Sequence, residues 1–397
     1  MNNQISKALI AIRKPALKAV RIPTPVTYVG GDKLYEVINI LEHLKVKKVM
    51  FIVGGHILRS GEIDHLLECL EAKDINYLIR SGISPDPSFK MVEEIRQNAK
   101  DVDAIVAIGG GSVLDVAKIV KGLVKNEIDP HKLVGMLRFN HKAVPLIAIP
   151  TTAGTGSEVT LASVISEDDS HLKRQILDPR IVPEYAILDP KLTTSLSLST
   201  SYHTGFDALT HALEAYVSTY ADKQSKHDSE IAIKLIFNNL LKLKKETTEL
   251  MTREALLLAS YHAGKAFTRV YIGYVHAFGH ALGAKCQISH GEATAILLPL
   301  VMNYYRDVCE KEFSDLALIL GHDYHDQKLN ADFFLECLAY LNKETEIAKT
   351  IKGFDESMID EIINLAFKEC HGTYPVPKYF SYADAYALLL NVCETKA

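Results

Sequence analysis

Apolar positions along the chain follow two rhythms. Between residues 48 and 149, short β-branched runs alternate with stretches whose apolar residues recur every three to four positions. The runs 48–53, 75–79, 103–108 and 145–149 predict buried strands, and 61–73, 88–99 and 113–125 predict the helical crossovers between them. That alternation predicts a parallel, doubly wound sheet. Beyond it the helical rhythm runs almost alone, at about 207–219, 226–246, 252–268, 308–320, 331–343, 356–369 and 382–393. Proline marks the same change: eleven of the fourteen precede residue 191 and none falls between 191 and 298. The expectation is an α/β domain over 1–189 and an all-α domain over 190–397, meeting near Asp189-Pro190.

Composition narrows the class. A hydrophobic share of 48% with 23% charged residues describes a folded soluble protein, and a net charge of −5 argues against nucleic acid as a partner. Lys7, Arg13, Lys14, Lys18 and Arg21 all precede the first acid, Asp32. A transit peptide or membrane-touching helix is one reading of that start, but Pro15 interrupts it and serine is scarce, which favours a solvated N-terminal extension. The six cysteines are scattered with no Cys-x-x-Cys pair, as expected of reduced thiols in the cytoplasm. No apolar run reaches the ~18 residues of a membrane span.

Three loops after predicted strands suit a nucleotide. Gly109-Gly110-Gly111-Ser112 opens the helix that carries Asp115; its glycines admit a pyrophosphate to the free N–H groups of a helix start. It is neither the Gly-x-Gly-x-x-Gly fingerprint nor a P-loop, and a ligand-free glycine turn is the bland alternative. Thr151, Thr152, Thr155 and Ser157 surround two glycines after the next strand, again at the carboxyl end where open α/β sheets bind ligands. In Gly54-Gly55-His56-Ile57-Leu58-Arg59 there is no acid to accept from a ribose 2′-OH. Space and a cation suit a 2′-phosphate instead; the alternative is a glycine turn with a surface arginine.

A third constellation suits a metal. His276 and His280 stand four apart, on one face of a helix, and Gly283 is expected to loosen the chain before His290. Asp207 and His211 repeat the four-residue spacing. A carboxylate and imidazoles in that number match the four to six N/O donors of a first-row divalent cation, leaving Cys286 unneeded. Either pair alone reads as packing.

Taken together, Gly109-Gly-Gly-Ser-x-x-Asp115, Pro150-Thr-Thr-x-Gly-Thr-Gly-Ser-Glu158, Asp207-Ala-Leu-x-His211-Ala-x-Glu214, His276-x-x-x-His280 and His290-Gly291 resemble the iron-containing (group III) alcohol dehydrogenases of the dehydroquinate-synthase-like superfamily. The resemblance implies a homodimer or higher homo-oligomer, with the active site in a cleft between a nucleotide-binding domain and a helical metal-binding domain. It implies Asp207, His211, His276 and His290 as ligands of Fe²⁺ or Zn²⁺, with His280 a non-ligand near nicotinamide and substrate, where it can relay the hydroxyl proton. Gly110, Gly111 and Ser112 would touch the pyrophosphate; Thr151, Thr152, Thr155, Thr160 and Lys173 would line the cofactor cleft, Asp86 would lie by the adenosine and Phe267 by the nicotinamide. Members preferring NAD commonly carry Asp at the position of Gly55, so NADP is favoured over NAD. Many members have Ser-Asn where this chain has Thr268-Arg269, followed by Tyr271 and Tyr274, which leaves the alcohol or aldehyde substrate open. The implied reaction is hydride transfer between an alcohol carbon and nicotinamide, with the metal polarising the substrate oxygen. The rivals are a lyase or cyclase of the dehydroquinate-synthase type, which needs more cations than Arg269 and Lys285, and a silent binding protein on the same fold.

Overall fold

The computed structural model describes residues 3–126, 128–139, 143–169 and 172–394. Six strands form one parallel sheet: β1 (Val26–Val29), β2 (Lys48–Val53), β3 (Asn76–Arg80), β4 (Ala104–Gly109), β6 (Leu146–Pro150) and β9 (Tyr185–Leu188), in the order β1-β9-β6-β4-β2-β3. β5 (Gly135–Met136), β7 (Ala162–Ser166) and β8 (Lys173–Leu177) form a second small sheet, β5-β8-β7. The inner strands are continuously apolar because both their faces are covered. On one face Met50, Ile52, Ile105, Ala107, Leu146 and Ala148 pack with α5 (Phe89–Asn98) and α6 (Gly111–Leu123). On the other, Phe51, Val53, Val106, Ile108, Ile147 and Ile149 pack with α2 (Glu36–His43) and α4 (Asp64–Glu71). The predicted helix 61–73 is present in shortened form as α4, and an unexpected α3 (Gly55–Ser60) precedes it, ending at Gly61, whose φ of 74° is left-handed.

The chain leaves β2 for β3 on one side and returns to β4 on the other, so the order reverses between β2 and β4. That reversal is where a doubly wound sheet parts its loops and takes ligands.

By contacts the chain divides into an α/β unit, Arg21–Leu196 with Thr248–Gly264, and a helical unit holding the described residues up to Val20, Ser197–Thr247 and those from Lys265 onward. The division falls after Leu196 rather than at Asp189-Pro190. Asp189 accepts from the backbone N–H of Leu34 and Lys191, at 3.0 and 3.1 Å, and Leu192 lies in the core beneath the sheet. Those contacts carry the segment past Pro190 with the α/β unit.

The helical unit contains α1 (Asn3–Lys18), α7 (Leu198–Val217), α8 (Lys223–Asn239), α10 (Tyr274–Cys286), α11 (His290–Tyr304), α12 (Glu310–Ile319), α13 (Gln327–Glu344), α14 (Ile359–Cys370) and α15 (Tyr382–Leu390); α9 (Leu250–Val270) has its last residues there. α7 packs on α8 and α11, and α10 on α11 and α14. α1 corrects the expectation of a solvated extension: Ile10 is buried, its carbonyl accepts from Tyr220 Oη at 2.5 Å, and Arg13 donates to Gly372 O at 2.6 Å. The side chain of Lys18 lies outside the described residues. No described helix is long and apolar enough to cross a membrane, and all six cysteines are free thiols.

Candidate functional site

Asp207, His211 and Glu214 lie on α7 at i, i+4 and i+7, one face of the helix. His276 and His280 lie on α10, which runs through Gly283 to Cys286. Gly283 therefore does not loosen the chain; the break is at Gln287, whose φ of 55° is left-handed. Ser289 then caps α11 by accepting from Glu292 N, and His290 is the first residue of that helix. A Cβ at Gly291 would stand 2.7 Å from His203 O, so only glycine lets the start of α11 seat this closely on α7.

This packing gathers Asp207, His276 and His290, whose donor atoms all lie within 4.8 Å of one another. From Asp207 Oδ1 the distances are 3.3 Å to His290 Nε2, 3.7 Å to His276 Nε2 and 4.0 Å to His211 Nδ1. The His211 ring lies beside His276, centroids 4.4 Å apart. Ligands held at about 2.1 Å in a tetrahedral or octahedral shell stand roughly 3.0–3.5 Å apart; the His290 distance falls in that range, that to His276 lies slightly beyond it, and His211 stands farthest, outside the group of three. Asp207 Oδ1 and His276 Nε2 are buried and have no hydrogen-bond partner among the described residues. Buried polar atoms normally find one. The donor set and its unsatisfied atoms fit a divalent ion.

Electrostatics agree. Burial favours a neutral Asp207, but the facing His211 and His290 outweigh it and hold its carboxyl well below the usual range. Burial also opposes charge on His276, yet Glu214 and Asp207, on either side of the ring, push it up to about 9. Burial holds His290 down to about 4. Cation uptake must then displace a proton from His276, whereas His290 is already neutral. Apparent metal affinity is expected to rise about tenfold per pH unit up to about pH 9 and level off above it. Calorimetric titration of Zn²⁺ in buffers of different ionisation enthalpy checks this; a pH-independent affinity over that range refutes it.

Two carboxylates brace the imidazoles. Glu214 accepts from His276 Nδ1 at 2.6 Å and from the backbone N–H of Gly273 and Val275, at 2.6 and 2.7 Å, at the start of α10. Glu369 accepts from His280 Nδ1 at 2.7 Å. Phe267 stacks on His211, centroids 4.2 Å apart at 16°. Glu214 has a sequence signal, its i+7 spacing from Asp207; Glu369, 89 positions from His280, has none.

In the α/β unit, the loops after β2 and β4 meet at the sheet's reversal: Gly54 N donates to Ile108 O at 2.8 Å. Gly110 caps α6 with no side chain of its own, leaving N–H groups at the helix start. A Cβ on Gly111 would stand 2.6 Å from Thr155 Cγ2, and one on Gly110 3.5 Å from Thr152, so the glycine and threonine loops are fitted to each other. Thr151 is buried. Ser112 Oγ donates to Pro85 O at 2.5 Å, and Lys173 pairs with Asp86 at 3.3 Å. Lys118 Nζ donates to Thr160 Oγ1 at 2.8 Å. Asp115, on the helix that the glycine loop opens and among the family motif's residues, turns inward: it accepts from Ser157 Oγ at 2.6 Å and Val164 N at 2.9 Å, bracing the threonine loop. Arg59 is exposed in the last turn of α3, near Gly55.

A family model described as iron-containing alcohol dehydrogenase matches residues 23–190, and one for the C-terminal part of the Fe-containing alcohol dehydrogenase family matches residues 201–392. The chain is 32% identical over 361 residues to long-chain-alcohol dehydrogenase 1 of Geobacillus thermodenitrificans, covering 87% of this chain and 89% of that protein. It is 33% identical over 325 residues to the NADPH-dependent butanol dehydrogenase of Clostridium saccharobutylicum, covering 79% and 82%. The solved structure of an alcohol dehydrogenase from Oenococcus oeni matches with a TM-score of 0.89 at 28% identity, over 94% of this chain and 100% of that one. With matched models over both halves and a donor set fit for a divalent ion, the chain belongs to the iron-containing alcohol dehydrogenase family and is a metal-dependent alcohol dehydrogenase or aldehyde reductase.

Proposed function

We propose that this chain transfers hydride reversibly between an alcohol carbon and NADP(H), with NAD(H) the weaker coenzyme, using Fe²⁺ held by Asp207, His211, His276 and His290. Zn²⁺ suits the same donors. The observation that carries the reading is the cluster of Asp207, His276 and His290, two buried donors and a half-buried one close enough to share one ion. When bound, the ion would supply Lewis acidity toward the substrate oxygen and the nicotinamide the hydride chemistry. Glu214 holds the Nδ1 proton of His276, so that Nε2 presents its lone pair to the site. His280 takes the hydroxyl proton during oxidation and returns it during reduction. Phe267 covers one face of His211 and screens it from water. The N–H groups at Gly110, Gly111 and Ser112, with Thr151, Thr152 and Thr155, receive the pyrophosphate, while Lys173 and Asp86 lie toward the adenosine. The enzyme works as a homodimer or larger homo-oligomer in a reducing cytoplasm. An anaerobic screen of Fe²⁺-reconstituted protein with NADPH or NADH against a panel of aldehydes and ketones tests the proposal. Turnover with none of them overturns it.

Coenzyme choice has its own test. A Cβ added at Gly55 would stand 3.2 Å from Arg59 Nη1, so Asp there sets a carboxylate against the cation assigned to the 2′-phosphate. Gly55→Asp is expected to lower the NADPH-to-NADH ratio of kcat/KM by about 10- to 100-fold, the scale of one or two charge-assisted hydrogen bonds. Equal rates with both coenzymes in the parent enzyme would remove the preference.

A further inference from the structure

His280 is gripped in a way that chance packing does not require. Its ring lies nearly parallel to that of His290, centroids 5.1 Å apart at 23°, and edge-on to His276 at 6.0 Å. Its Nδ1 meets Glu369 Oε1 at 2.7 Å, and the same oxygen accepts the hydroxyl of the fully buried Tyr374 at 2.5 Å. Stacking restricts the plane of the ring, and Glu369 restricts rotation within it.

We infer that Glu369 is a positioning residue for His280, holding the ring in the tautomer and orientation that leave Nε2 free to exchange a proton with the substrate. The inference rests on the relay role proposed above. An ionised carboxylate only accepts, so Nδ1 is the nitrogen that carries the proton in the neutral ring. Nε2 then bears the lone pair, and no described group hydrogen-bonds to it, although the side chain is only 14% exposed. Burial would make Glu369 harder to ionise, but His280 and Tyr374 outweigh it and hold its carboxyl below the usual range.

The position of Glu369 points the same way. It lies in the last turn of α14, where the negative end of the helix dipole disfavours a carboxylate. A residue that breaks a local rule needs an offsetting contact, and here that contact is a histidine beside two of the proposed metal ligands. The competing account is a structural tether between α10 and α14, which pack together.

Glu369→Gln separates the accounts, because the amide keeps the volume and one acceptor oxygen while removing the charge. The expected result in the metal-loaded enzyme is a fall in kcat of about 10- to 100-fold, within the usual range for a general acid–base step. KM for the alcohol, metal content and thermal midpoint stay at parental values, and Glu369→Asp recovers part of the loss. The solvent deuterium isotope effect on kcat rises as the proton step becomes limiting. In a His280→Ala background Glu369→Gln adds no further loss, since the two residues act as one unit. Parental kcat in Glu369→Gln, or losses that multiply in the double variant, overturns the inference while the relay stands; parental kcat in His280→Ala sinks the relay itself. A measurement on the unaltered Zn²⁺-loaded enzyme covers misfolding of any variant: imidazole ¹⁵N shifts must show the Nδ1–H tautomer of His280, and an Nε2–H tautomer refutes the assignment.

Discussion

Asp207→Asn is expected to abolish tight metal binding and to lower turnover by at least about 1,000-fold, without unfolding the metal-free protein. The several kcal/mol of substrate polarisation that a divalent ion supplies, at about 1.4 kcal/mol per tenfold in rate, set that scale. The amide preserves the volume of a fully enclosed side chain but replaces the only carboxylate in the donor set with a neutral oxygen. Three imidazoles still suit a borderline dication, but the site loses its one anionic donor and the charge that offsets the ion's lost hydration. Metal-free stability should fall, though the chain still folds, because the facing imidazoles hold the Asp207 carboxyl well below its usual range and removing one side of a buried charge pair is destabilising. Metal analysis after dialysis against a mild chelator, with thermal melts on the stripped protein, gives both readouts. Retained stoichiometric metal contradicts the assignment of Asp207.

The sequence displayed those ligands because helical spacing is a short-range property. Asp207 and His211 must share a face of α7, and His276 and His280 a face of α10, whatever the rest of the chain does. The buried strands were legible for a similar reason. β2 was expected at its observed bounds, and β3, β4 and β6 one residue early; β2, β4 and β6 are covered on both faces and read as unbroken apolar runs bounded by glycine, proline or charge, while β3, at the sheet's edge, showed through its apolar centre Tyr77-Leu78-Ile79. Short or polar strands carry no such run: the edge strand Val26–Val29 and the interior strand Tyr185–Leu188 are four residues each, and Lys173–Leu177 is largely polar, so none of the three was expected. α11 went unread because it is apolar nearly all round and contains Pro299, so neither a polar face nor an uninterrupted period marks it. α1 was obscured by Pro15 and by basic residues whose partners, Thr219 O and Gly372 O, lie more than 200 positions away. Glu369 belongs to the same class: its meaning lies in tertiary packing, which leaves no spacing to read.

Glu214→Gln is the substitution for which stability and chemistry should fail together. The carboxylate of Glu214 accepts three donors, the backbone N–H of Gly273 and Val275 and Nδ1 of His276, and all three are buried. An amide has one acceptor oxygen, and its NH₂ must face at least one of those donors. A buried donor set against a donor costs about 1–3 kcal/mol, and the charge that favoured the positive end of α10 goes with it. The helical unit is therefore expected to melt about 5–10 °C lower, at the 2–4 °C per kcal/mol usual for domains of this size. His276 loses the acceptor that fixes its tautomer, so metal affinity should fall about 10- to 100-fold. The two α7 carboxylates thus differ at the ion: Asp207→Asn removes a proposed ligand and with it tight binding, whereas Glu214→Gln leaves all four proposed ligands in place and only weakens binding, with the melt lowered in metal-free and metal-loaded protein alike. A Glu214→Gln protein that binds metal as tightly as the parent would show that the start of α10, not this carboxylate, aims His276 at the site.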